Sequence, residues 1–179
     1  MKKWMLVFAA GTLILAACNN EKTEPATGAA TNDKKPVALP YTAAYSSSFE
    51  MGNPAYAAMI AQGSWKDWEQ NTLTNMKSWV ADTIVAHQSD NVMVKGADSL
   101  MARWIRGRAD YTSVIDTIDA VIPVYSTDKK ENWVLVWARE INVDSKGKKD
   151  TVAIMETWRI NKDGKADFVL QYDRHARKK

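Results

Sequence analysis

Asp150-Thr151-Val152-Ala153-Ile154-Met155-Glu156-Thr157-Trp158-Arg159-Ile160-Asn161, then Lys162-Asp163-Gly164-Lys165, then Ala166 to His175, is the stretch that decides the fold. Ile154, Trp158 and Ile160 recur at even spacing with Glu156 in the same register, which is the two-residue period of a strand. Asp163-Gly164 reads as a tight hairpin turn whose two positions both take φ > 0. Ala166 to His175 is then the returning, last strand.

The same pattern extends upstream. Tyr111 to Thr127 is rich in Val, Ile, Thr and Tyr, Asp128 to Glu131 is a charged turn, and Asn132 to Val143 is a strand. Asp144 to Lys149 turns around Gly147. Before this meander the period changes. Asn53 suits a helix cap and Pro54 a first helical position. Ile60, Ser64, Trp68 and Thr72 fall on one helix face, with Ala61 and Trp65 beside it. Asn71 to Thr74 turns out of that helix, and a short helical segment follows at Asn75 to Trp79. Val80 to Gln88 and Val92 to Lys95 read as strands around a Ser89-Asp90-Asn91 turn. After Gly96, residues Leu100, Met101, Trp104, Ile105 and Arg108 repeat at a helix period. Helices followed by a run of long strands predict an α+β domain with an antiparallel sheet.

The N-terminus has a different character. Lys2 and Lys3 precede an uncharged, mostly apolar run from Met5 to Ala17, too short to span a bilayer, which takes about 20 apolar residues. It ends Leu15-Ala16-Ala17-Cys18, which resembles the lipobox of bacterial lipoproteins. Cys18 is the one cysteine of the chain, so it has no intrachain disulfide partner. The expectation is a signal peptide at 1–17, removed before a lipidated Cys18, and anchoring through acyl chains. Asn19 to about Pro40 has no hydrophobic period and is expected to be a disordered tether. The folded domain is expected at 41–179. Asn19 follows the lipidated residue rather than an Asp, which favours the outer membrane of the cell envelope.

Composition removes several function classes. Loss of Lys2 and Lys3 brings the formal charge of +3 close to neutral, and no basic face is clustered enough for nucleic acid. The basic run after Arg174 reads as a solvated C-terminus. No Gly-rich phosphate loop, Cys/His metal cluster or nucleophile elbow is present. His87 and His175 are the only histidines, which excludes a multi-histidine metal site. No cofactor and no metal are expected.

Trp79-Val80-Ala81-Asp82-Thr83-Ile84, the short strand ending at Lys95-Gly96, and Glu156 to Lys165 together resemble the nuclear transport factor 2-like superfamily, the last stretch its SnoaL-like members. The resemblance spans roughly Tyr56 to Tyr172. It implies a cone: about six strands in one strongly curved antiparallel sheet, wrapped around two or three helices, with a pocket at the open end. The isomerase-like relatives place a base just after the Asp-Ala-like motif, which falls on His87 here, and a protonated acid eight residues before the hairpin glycine, which falls on Glu156. They also use a tyrosine in the first helix. This chain departs from that pattern, with Trp65 and Trp68 there instead and Tyr56 about two turns too early. Asp82 is expected to be a structural hydrogen-bond acceptor.

His87 titrates near neutral pH and suits a base. Glu156, in an apolar register, would be raised by desolvation and suits an acid. The alternative is a solvent-facing His87 near a strand end and a Glu156 on the outer sheet face. Of the eight tryptophans, all but Trp4 lie in the domain. Trp65, Trp79, Trp104, Trp137 and Trp158, with Tyr172, are the candidates for lining a pocket, against the alternative that they are core. Two functions follow: a lipid-anchored module that binds a small apolar or aromatic ligand or a partner protein, or a small lyase or isomerase using His87 and Glu156. A homodimer through the open sheet face is a further expectation.

Overall fold

A computed structural model describes residues 40–175. The expected signal peptide, Cys18, the expected tether before Pro40 and residues 176–179 lie outside them. Strand β1 (Phe49–Met51) leads into α1 (Pro54–Ile60), a π-helical turn (Ala61–Lys66), α2 (Asp67–Gln70) and a 3-10 turn (Leu73–Ser78). Then come β2 (Val80–His87), β3 (Met93–Lys95), α3 (Ala97–Ala109), β4 (Tyr111–Ser126), β5 (Glu131–Asp144), β6 (Lys149–Ile160) and β7 (Ala166–His175). The sheet is an open one of seven strands in the order β1-β4-β5-β6-β7-β2-β3.

The three long hairpins follow the alternation of the sequence. Val134, Val136 and Ala138 on β5, Val152, Trp158 and Ile160 on β6, and Val169 on β7 are all buried on the inner face. Each large apolar side chain buried there stabilises the fold by about 1.5–3 kcal/mol. Against that face pack Ile60, Trp65, Leu73, Met76, Leu100 and Trp104 from the helical segments. Register shifts along β4–β5, near Ser113 and between Ile118 and Ala120, bend the longest strands, as bulges do.

Three features differ from the sequence expectation. The sheet has seven strands rather than about six, because β1 adds an edge of three exposed residues with no readable pattern. β2 runs parallel to β7, while every other neighbour pair is antiparallel. No short turn joins β2 to β7, so no hairpin geometry dictates their direction. The turn at Asp163-Gly164 has φ > 0 at Gly164 alone. It is a three-residue loop in which Asn161 Oδ1 accepts from the backbone N–H of Asp163 (2.9 Å) and of Lys165 (3.0 Å). That side chain holds the turn open by one residue, and glycine takes the left-handed position.

The first helix is capped as expected: Asn53 Oδ1 accepts from Ala55 N–H at 2.9 Å, with Pro54 next. It does not stay regular. Gly63 lies so close to the indole of Trp79 that a Cβ there would sit 2.4 Å from the ring. The wider π turn seats that ring and rotates Ser64, Trp65 and Asp67 inward together. The expected face ending at Thr72 is therefore broken, and Thr72 is exposed. Asn71 ends the helix in the left-handed conformation, φ 57°. The buried guanidinium of Arg108 donates to the helix-end carbonyls Trp68 O (2.7 Å) and Glu69 O (3.1 Å), and to Tyr111 O (2.9 Å) at the start of β4.

The chain enters the domain beside the β4–β5 hairpin. Tyr45 Oη donates to Glu131, Ser46 Oγ donates to Asp128 at 2.6 Å, and Thr127 N–H donates to Ser48 O at 2.8 Å.

Candidate functional site

A cavity of about 440 Å³ lies between the π turn, α2 and α3 on one side and the inner face of β5, β6 and β7 on the other. Asp110, Asp173 and His175 are exposed at its mouth, where β4 begins and β7 ends.

Glu156 forms the floor. Its neighbours in the strand register, Val152, Ile154, Trp158 and Ile160, all face inward, so the alternation carries the carboxyl in with them. It is 2% exposed. Oε2 accepts from Ser64 Oγ (3.2 Å) and Trp158 Nε1 (2.9 Å), and Oε1 accepts from Gln171 Nε2 (3.0 Å). Burial pushes this carboxyl above the usual range, and the donors from Trp158, Gln171 and Ser64 pull the other way. Trp65 Nε1 is near enough to favour the charge too, but it lies outside hydrogen-bond geometry and has no acceptor.

Two further carboxylates stand on the same face. Glu140 is buried and lines the cavity, accepting from Trp68 Nε1 (2.7 Å) and Asn142 Nδ2 (2.9 Å). Asp116 pairs across from Glu140 in the β4–β5 ladder, and both its oxygens are buried with no donor. Burial, with the charges of Glu140, Glu69 and Glu156, pushes Asp116 up to about 8. Among the described residues none of these three acids has an ion-pair partner. At the rim Asp90 pairs with Arg103, Ser89 Oγ donates to Asp173 at 2.6 Å, and His175 Nδ1 lies 2.9 Å from Asp150.

Of the residues expected from sequence, Glu156, Trp65 and Trp104 line the cavity. His87 does not. In the β2–β7 register Ala86 pairs with Val169, both fully buried, and His87 pairs with Leu170 on the opposite face. Its ring packs on Phe168, 5.6 Å between centroids. The expectation that His87 and Glu156 converge in one pocket is thereby corrected. The inward residue at the end of this strand is the next one, Gln88, whose Oε1 accepts from Trp104 Nε1 at 3.1 Å.

Trp158 and Trp79 are core rather than lining. They meet edge to face at 5.5 Å, and Trp158 acts on the site through its bond to Glu156. Trp137 and Tyr172 lie on the outer face, because Val136 and Gln171 beside them point inward. Asp82 is exposed. Trp68, which the sequence places beside Trp65 in the first helix, also lines the cavity, and sequence reasoning passed over Ser64, Gln88, Glu140, Asn142 and Gln171. Glu140 and Asn142 were within reach, since they continue the even register of Val134, Val136 and Ala138, the same signal that marked Glu156.

Neither protein-family models nor curated protein sequences match the chain. Solved structures do. Delta 5-3-ketosteroid isomerase from Mycobacterium sp. is similar at a TM-score of 0.54 and 16% identity, over 68% of this chain and 98% of that one. A candidate SnoaL-like polyketide cyclase from Shewanella denitrificans OS-217 gives 0.55 and 11%, over 68% and 92%. A Mycobacterium tuberculosis protein solved in complex with estradiol-17beta-hemisuccinate gives 0.54 and 17%, over 65% and 92%. The domain has the nuclear transport factor 2-like, SnoaL-like fold, one that hosts both catalysts and ligand-binding proteins.

Proposed function

We propose that the domain binds a small ring-shaped molecule in this cavity without transforming it, and that lipid on Cys18 holds the chain at a membrane, the outer membrane of a bacterial envelope. The observation that carries the binding reading is the setting of Glu156. Three donors hold it at the floor of an aromatic-walled cavity, and the histidine meant to complement it faces away. A general base must reach its proton before its pKa matters, and His87 does not reach this cavity.

The test is binding of the neutral dye N-phenyl-1-naphthylamine to the full-length protein, read by dye and tryptophan fluorescence. Binding that is lost in Trp104→Ala and kept in His87→Ala is the expected result. Binding unaffected by Trp104→Ala would remove this cavity from consideration.

A second reading keeps one observation in its favour. Burial raises the Glu156 carboxyl above its ordinary range, the direction that acid–base chemistry requires of an acid. A lyase or isomerase would then take its base from a residue other than His87. With a turned-over substrate, Glu156→Gln would lower kcat about 100-fold or more.

Anchoring rests on the Lys2-Lys3, apolar run and Leu15-Ala16-Ala17-Cys18 sequence. Cys18→Ala is expected to abolish palmitate labelling and release the protein from membranes, and labelling that persists would overturn it. A homodimer through the outer sheet face is supported by the cross-strand row Trp137–Met155–Tyr172, with Trp137 37% and Tyr172 57% exposed. Trp137→Glu is expected to give a monomer in sedimentation; a species already monomeric would remove the proposal.

A further inference from the structure

The hydrogen-bonding groups left over in the cavity narrow the ligand further. This step rests on the binding reading above. Trp65 is 4% exposed and lines the cavity, yet its Nε1–H has no acceptor. Gln88, also lining, spends its carbonyl on Trp104 and leaves its Nε2–H buried and unmatched. Facing them are the acceptors Glu140 and Glu156, each oxygen already holding at least one donor but with lone pairs to spare. No cation of the described residues pairs with either carboxylate.

Each ligand class meets this set differently. A purely apolar ring would leave the already buried N–H donors of Trp65 and Gln88 with nothing to accept them. An anion at the floor would meet Glu140 and Glu156, while of the arginines on the α3 side Arg103 is paired with Asp90 and Arg106 is exposed. A simple ammonium would satisfy the acids and leave Trp65 and Gln88 unmatched. A hydroxyl both donates and accepts, so several hydroxyls on one ring answer both sets at once. The C–H faces of such a ring pack on the indoles of Trp65, Trp68 and Trp104. A volume of about 440 Å³ is in the range of small-molecule sites.

We propose that the cavity recognises a polyhydroxylated ring of the pyranose kind, a free sugar or the end unit of a glycan chain, with Trp65 and Gln88 donating to its oxygens and Glu140 and Glu156 accepting from its hydroxyls.

The experiment is competition on the full-length protein, with the neutral dye N-phenyl-1-naphthylamine as the general cavity probe. The competitors are methyl β-glucopyranoside, methyl β-galactopyranoside, N-acetylglucosamine and chitotriose. At least one is expected to displace the dye, and saturation-transfer NMR is expected to place its ring protons against the protein. A monosaccharide as good as chitotriose identifies a free sugar; chitotriose at least about tenfold better identifies a glycan end. Trp65→Phe keeps one aromatic ring and removes the N–H. It should weaken the sugar about 5- to 10-fold, clearly more than it weakens the dye. Dye binding that no sugar displaces overturns this inference and leaves the binding reading intact. Loss of both dye and sugar binding overturns both. Sugar affinity unchanged in Trp65→Phe refutes the assignment of the leftover donors.

Discussion

Glu156 and Asp116 stand on the same inner sheet face, and burial raises both, yet the protein treats them in opposite ways. Glu156 has three side-chain donors drawn from the π turn, its own strand and β7. Asp116 has none and faces Glu140 across the ladder. The first is a buried polar group whose surroundings were built for it. The second is a carboxyl that the fold tolerates by keeping it protonated, since an unpaired buried charge costs several kcal/mol. The difference separates a binding or catalytic floor from a strained neighbour of it, which burial alone does not do.

The largest expected effect comes from emptying the satisfied site. Glu156→Leu strands the donors of Ser64, Trp158 and Gln171 and should cost about 3 kcal/mol in urea unfolding, with Glu156→Gln costing clearly less. Equal stability of the two variants would break the contrast. Next is Gly63→Ala, whose Cβ would collide with Trp79. About 2 kcal/mol is expected from overpacking, and the displaced turn should also pull Ser64 off Glu156 while leaving Asp116 untouched.

Asp116→Asn should act in the other direction. Folded Asp116 keeps its proton up to about 8 against an ordinary 3.8, so folding takes up a proton throughout that window. Stability therefore falls as pH rises from about 4 to about 8. Asp116→Asn should gain at least about 1 kcal/mol at pH 8, nothing at pH 4, and flatten the profile between. A loss at pH 8 would mean that the carboxylate has a partner in solution. The smallest effect is expected on the outer face, where Tyr172→Ala should change monomer stability by no more than about 0.5 kcal/mol.

The strand period on β6 carried Glu156 to the right face before any coordinates, and the helix period and Gly96 located α3. Both depend on local geometry, which the sequence states directly. Failures came where parity was lost. Positions counted forward from Asp82 cross an irregular stretch between Val80 and Val85, where the β2–β7 register shifts. A shift of one residue flips every later side chain, so the count delivered His87 to the outside and left Gln88 unnoticed. Trp137 and Tyr172 were misplaced in another way. Their size suggested lining, while the small or polar neighbours Ala138 and Gln171 held the inward positions. The π turn was hidden because its cause, the indole of Trp79 against Gly63, joins residues that no helix period relates.

The docking of Tyr45, Ser46 and Ser48 on the β4–β5 hairpin has a mechanical consequence. A pull from whatever precedes Tyr41 enters the domain at the far end of the long strands from the cavity mouth. It is met first by those few surface contacts and by the three-residue edge pairing of Phe49–Met51 with Val124–Ser126. These can peel away as a fuse before tension reaches the β5–β6–β7 wall. The point where the chain enters the described domain and the cavity mouth thus lie at opposite poles of one sheet.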